Sequence, residues 1–102
     1  MKNKTSKLAK LERNRKSILT DNLEKCFICG GTANDLHEIF SGGSRKASMI
    51  HDFVIPICRK CHNVITINYE LNLRLKKLCQ EKFEETHERS EFLSIIHKSY
   101  LE

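Results

Sequence analysis

The sequence predicts a small α+β domain, two short strands with flanking helices, held together by a metal ion. Three observations carry that expectation. Cys26-x2-Cys29 and Cys58-x2-Cys61 are separated by 28 residues, and two such pairs can fold two turns onto one Zn²⁺, which takes four thiolates in a tetrahedron. Between the pairs lie two short apolar runs of strand character, and beyond them apolar residues recur at helical spacing. At 102 residues, 39% hydrophobic and without Trp, the chain has room for one domain with a modest core. In that size class a metal staple is common.

The elements follow in order. Leu8, Leu11, Ile18 and Leu19 share one side of a 3.6-residue period, with Lys and Arg on the other, so residues 6–19 read as an amphipathic helix capped by Thr5 or Ser6. The expected division is a basic arm over 1–22 and a zinc-knuckle domain with C-terminal helices over 23–102. Residues 23–34 form the first knuckle, where Gly30-Gly31 permits a positive φ. Residues 36–40 form a strand, a Ser41-Gly42-Gly43-Ser44 loop follows, and residues 45–51 suit one or two helical turns. The β-branched run at 53–57 is a second strand, with Pro56 marking an edge, and it delivers the second knuckle. Leu71, Leu75, Leu78, Cys79 and Phe83 predict a helix over 69–86, with Cys79 a buried thiol. Phe92, Ile95, Ile96 and Tyr100 form the buried face of a last helix after Ser90. His87 and His97 read as surface or packing histidines.

A disulfide framework is a poor alternative for the cysteines. The CxxC spacing suits it badly and Cys79 would be left over. The expectation is a chain with no secretory leader, its free thiols suited to a reducing cytoplasm. No apolar run approaches the roughly 20 residues that span a bilayer, so no membrane partner is expected. Loss of zinc should unfold the centre.

Charge is segregated. Residues 1–16 hold Lys2, Lys4, Lys7, Lys10, Arg13, Arg15 and Lys16 against Glu12 alone, whereas the other residues hold 11 basic and 12 acidic groups. A basic arm on a near-neutral body points to phosphates, with Lys7, Lys10, Arg13, Arg15 and Lys16 as contacts to DNA, double- or single-stranded. A solvated tail is the other reading.

Cys26-Phe-Ile-Cys29, Leu36-His37-Glu38-Ile39-Phe40-Ser41-Gly42-Gly43, Ile55-Pro56-Ile57-Cys58 and Arg59-Lys60-Cys61-His62-Asn63 together resemble the HNH, or ββα-metal, endonuclease superfamily. Arg45-Lys46-Ala47-Ser48, the 68–76 segment and Glu91-Phe92 make the chain most similar to the recombination-enhancement (Ref-type) HNH nucleases of phage and prophage. The likeness spans about residues 25–101 and leaves the arm outside. It implies a ββα-metal core and a place in the cytoplasm of a bacterial host cell. It also implies a second, catalytic divalent ion such as Mg²⁺ or Mn²⁺, which neutralises charge on a scissile phosphate while a base activates water.

The resemblance assigns His37 and Glu38 as adjacent base and metal ligand, and His62 as a ligand from the following helix. Register against Ile39 makes Glu38 the base. Chemistry favours His37, whose pKa lies near neutrality, with Glu38 as a hard oxygen ligand alongside His62. Arg45 and Lys46, beside the glycine loop, are expected to contact phosphate. Two positions depart from the pattern: Thr66 stands where many relatives carry a second helix ligand, for which Asn63 or Asn68 would have to substitute, and Ser44 stands where an Asn is usual. His51 is a further candidate ligand or a stray surface residue. The first expectation is a metal-dependent DNA endonuclease or nickase. The second is a non-catalytic zinc-knuckle module binding nucleic acid or a protein partner.

Overall fold

The computed structural model describes residues 15–101. In chain order its elements are β1 (Asp35–Glu38), a 3-10 turn (Gly42–Ser44), α1 (Arg45–His51), β2 (Val54–Ile57), α2 (Arg59–Ile65), α3 (Tyr69–Phe83) and α4 (Arg89–Ile96). This is the expected small α+β architecture. β1 and β2 pair antiparallel, with Asp35 opposite Ile57, Leu36 opposite Pro56, His37 opposite Ile55 and Glu38 opposite Val54. Pro56 costs no ladder bond, because opposite Leu36 it stands at a non-hydrogen-bonded position, and its outward carbonyl accepts the Phe27 N–H at 2.9 Å. That bond, with Asn34 N–H to Ile57 O at 3.1 Å, hangs the first knuckle on the sheet. The knuckle is a tight hairpin bridged at Lys25 and Thr32. It turns on Gly30, whose φ of 83° is the left-handed conformation that glycine adopts without a Cβ clash.

All four residues of β2 are buried. Phe40, Phe53, Phe83 and Phe92 pack beside it with ring centroids 5.5 to 6.1 Å apart, tilted or edge-to-face. α3 sends Leu75, Cys79 and Phe83 into this core, and α4 sends Phe92 and Ile96. Leu78, expected on the same stripe, is exposed. The buried line runs at steps of four through 71, 75, 79 and 83, and position 78 falls at its edge. The starts of α3 and α4 have local causes: the Asn68 side chain accepts the Leu71 N–H at 2.9 Å, and Glu88 with Glu91 forms a reciprocal capping box. Buried Gln80 is satisfied, donating to Glu84 and Ser99 and accepting the Tyr100 N–H at 2.7 Å. It ties the C-terminal segment to α3.

The arm departs from expectation. Residues 6–14 of the proposed helix lie outside the described residues, as do Lys7, Lys10 and Arg13. Residues 15–20 are not helical. Their amides are used elsewhere: Ile18 N–H donates to Asp52 O at 3.1 Å, and Leu19 N–H to the Ser17 hydroxyl at 3.0 Å. Ile18 and Leu19 still pack against the core.

Candidate functional site

The two knuckles bring Cys26, Cys29, Cys58 and Cys61 together, all four sulfurs within 4.8 Å of one another. Amides turn towards the thiols, Cys29 N–H to Cys26 Sγ at 3.5 Å and Cys61 N–H to Cys58 Sγ at 3.4 Å. Zn²⁺ at about 2.3 Å from each sulfur of a tetrahedron sets the sulfurs about 3.8 Å apart. Cys29 Sγ and Cys58 Sγ lie at 3.8 Å. Burial opposes ionisation of Cys26, but hydrogen bonds from the Cys29 and Cys58 amides outweigh it and bring the thiol down to about 6. Desolvation and its three sulfur neighbours push Cys61 up to about 12. Four thiolates this close repel one another, so full ionisation calls for a cation among the sulfurs. These residues could hold a zinc ion. Cys79 stands apart, fully buried in the core, and burial raises its thiol well above its ordinary range.

Where the second knuckle becomes α2, Cys61 and His62 are neighbours, so whatever fixes the cysteine also fixes the histidine. The His62 ring lies across β1, on the face that carries Asp35 and His37, two residues apart and therefore on one side of the strand. His62 Nδ1 is 3.1 Å from Asp35 Oδ2. Arg59 clamps the same carboxylate with two bonds, Nε to Oδ2 at 3.0 Å and Nη2 to Oδ1 at 3.2 Å. The Arg59 guanidinium and then His62 hold Asp35 below the usual carboxylate range. The His37 and His62 rings meet edge-on, centroids 5.5 Å apart. Burial first, then His62 and Lys76, lowers the His37 imidazole to about 4. It is neutral at pH 7.

Glu38 does not join this group. As the next residue in the strand it leaves from the opposite face, where Arg15 Nη2 meets its Oε2 at 2.9 Å, both side chains only 11% exposed. The contact is ionic without an aligned hydrogen bond: buried Arg15 Nε and Nη2 and Glu38 Oε1 have no hydrogen-bond partner among the described residues. Two expectations are corrected here. Glu38 is not placed to ligate a metal with His62, and Arg15 turns inward to a carboxylate instead of outward to phosphate. Asp35 was missed. Its signal was a carboxylate two residues before His37, on the same face of a strand.

The family model described as protein of unknown function (DUF968) matches residues 10–87. The chain belongs to this family. No curated protein and no solved structure matches it. The DUF968 segment contains both cysteine pairs, Asp35, His37 and His62, and ends before α4.

The remaining candidates of this DUF968 chain are placed as follows. Arg45 and Lys46 are exposed on the first turn of α1, next to Ser44, whose side chain makes no cap bond. Lys16 is exposed. Thr66 ends α2, its hydroxyl donating to Asn63 O at 2.8 Å. Asn68 is used as the cap of α3. His51 is a packing residue, its ring on Phe53 and against Phe83. His87 stacks on Phe83 at 4.2 Å, and His97 ends α4 in a left-handed turn. No helix among the described residues is long and apolar enough to cross a membrane.

Proposed function

We propose that this DUF968 chain is a zinc-stapled, metal-dependent DNA endonuclease or nickase of HNH type, with His37 as general base. The observation that carries the reading is the meeting of two imidazoles, His37 and His62, on one face of β1 beside the four-cysteine cluster. Burial keeps His37 in the neutral form that can accept a proton, but at about 4 the imidazole is a weaker base than the near-neutral one expected from sequence. Asp35, accepting from His62 Nδ1–H, would fix the tautomer that leaves His62 Nε2 free as a ligand. Mg²⁺ keeps several waters and is held by few protein groups, usually carboxylates, together with substrate phosphates; a divalent ion at His62 Nε2, completed by water and phosphate oxygens, would neutralise charge on the scissile phosphate. Zinc at the four cysteines would fix α2 and so set the distance between the two imidazoles. Arg45 and Lys46 would hold the flanking phosphates.

The engagement of Glu38 by Arg15 favours a second reading, a binding module without catalysis. Supercoiled plasmid and single-stranded DNA incubated with Mg²⁺, Mn²⁺, Ni²⁺ or Zn²⁺ separate the two. The expected result is nicking by the wild type, lost by about a hundredfold or more in His37→Ala and weakened in His62→Ala with partial rescue at high Mn²⁺, zinc content unchanged in both. Wild type that binds DNA but cuts it under no metal sinks the catalytic reading and leaves the binding module.

A further inference from the structure

The corner between α2 and α3 carries a feature the imidazole site does not use. Ile67 is 85% exposed and Tyr69 78% exposed, far more than the other large apolar side chains at the described surface. They rim a groove of about 210 Å³ whose walls also include Ile65, Thr66, Asn68 and Asn72. Apolar walls are thus mixed with a hydroxyl and an amide. The groove shares both of its helices with the residues around the imidazoles. On α2, Thr66 lies one turn beyond His62, its N–H donating to His62 O. On α3, Tyr69, Asn72 and Lys76 fall at i, i+3 and i+7, one stripe of the helix, and the Lys76 charge is the last of three causes that lower the His37 imidazole.

Charge selects the occupant. From residue 59 to 77 the chain carries Lys60, Arg74, Lys76 and Lys77, besides Arg59 paired with Asp35, against Glu70 alone, whereas from 78 to 91 acids outnumber bases five to two. The groove lies within the basic stretch. A second copy docked face to face would set like charge against like, while a polyanion gains. We propose that this groove is a subsite for one unpaired nucleobase, stacked on Tyr69 and hydrogen-bonded at its edge by Asn72, next to the phosphate held at His37 and His62. Stacking on an aromatic ring tolerates any base, so the subsite would favour single-stranded or locally opened DNA without selecting sequence.

The inference rests on the nucleic-acid reading above, and its test separates the two. Zinc-loaded full-length wild type, Tyr69→Ala and Tyr69→Phe are titrated against a short oligothymidylate, the same strand with abasic sites, and a duplex of equal length. Tyr69→Ala should weaken oligothymidylate binding about five- to a hundredfold and leave duplex binding within about twofold. Tyr69→Phe, which keeps the ring, should bind as the wild type does, and wild type should bind the abasic strand as weakly as Tyr69→Ala binds the intact one. With no Trp and two Tyr in the chain, quenching of tyrosine emission on binding, absent in Tyr69→Phe, is a second expected result. Nucleic-acid binding by wild type with Tyr69→Ala unchanged overturns the subsite alone. Self-association that Tyr69→Ala abolishes, at unchanged oligonucleotide affinity, gives the groove to a second copy and overturns it too. Wild type that binds neither strand nor duplex removes the nucleic-acid reading and the subsite with it.

Discussion

His37 sits where protonation is opposed first by burial and then by His62 and Lys76, and its imidazole is lowered to about 4. An unfolded histidine titrates near 6.5. Between those values the unfolded chain binds the extra proton, so stability is full above about pH 6.5 and falls as pH drops towards 4. Discounted for the exposed part of the ring, the loss is about 1 to 2 kcal/mol. Denaturant midpoints at pH 7 and pH 5, without added Mg²⁺ or Mn²⁺, should show His37→Gln losing less stability on acidification than wild type does. Equal losses would mean that the ring is charged in the folded protein. The Arg15–Glu38 pair makes a contrasting case. Both side chains are nearly buried, so removing either partner alone leaves a charge without its counter-ion. Arg15→Met and Glu38→Leu should each cost about 3 to 5 kcal/mol, and the double variant should recover most of that loss. Additive losses in the double-mutant cycle would show that the two charges do not interact.

At the scale of elements, α2 links the two parts of the site. Cys58 caps its first turn through the Cys61 amide, and His62 follows directly. Cys61→Ser should therefore lose zinc, helix α2 and any cleavage together, whereas Cys79→Ser should keep one zinc per chain and cost about 1 to 3 kcal/mol for the hydroxyl it buries. Elemental analysis and circular dichroism check both. Zinc retained by Cys61→Ser at full stoichiometry would break the link. Both knuckles, both strands and the later helices were legible because turn residues and apolar periods are local signals; α3 stops at Phe83 and α4 begins at Arg89, close to the expected limits. What was not legible depends on which way neighbours point and on long-range contacts. His37 and Glu38 read as a pair in sequence, but a strand sends consecutive side chains to opposite faces, and His62 lies on only one of them. Asp35 was overlooked for the same reason. The helix expected over 15–19 fails because Asp52 O, distant in sequence, takes the Ile18 amide.

The whole molecule divides by charge: a basic arm and a basic α2 and early α3 lie ahead of an acidic stretch through late α3 and the start of α4. Polyanion binding should therefore depend steeply on salt, and where the arm is cut should matter. Residues 1–14 carry Lys2, Lys4, Lys7, Lys10 and Arg13 against Glu12. Removing them should lower the slope of log affinity against log salt by up to about 4, through lost counterion release. Removing residues 1–16 takes Arg15 as well and leaves the Glu38 carboxylate buried without its partner. That truncation should lower affinity similarly but also cost about 3 to 5 kcal/mol of stability, which Glu38→Leu in the same background should largely restore. An unchanged salt slope on removing 1–14 would mean that the arm does not meet phosphate. Equal melting temperatures for the two truncations would mean that Arg15 does not tie the arm to the sheet.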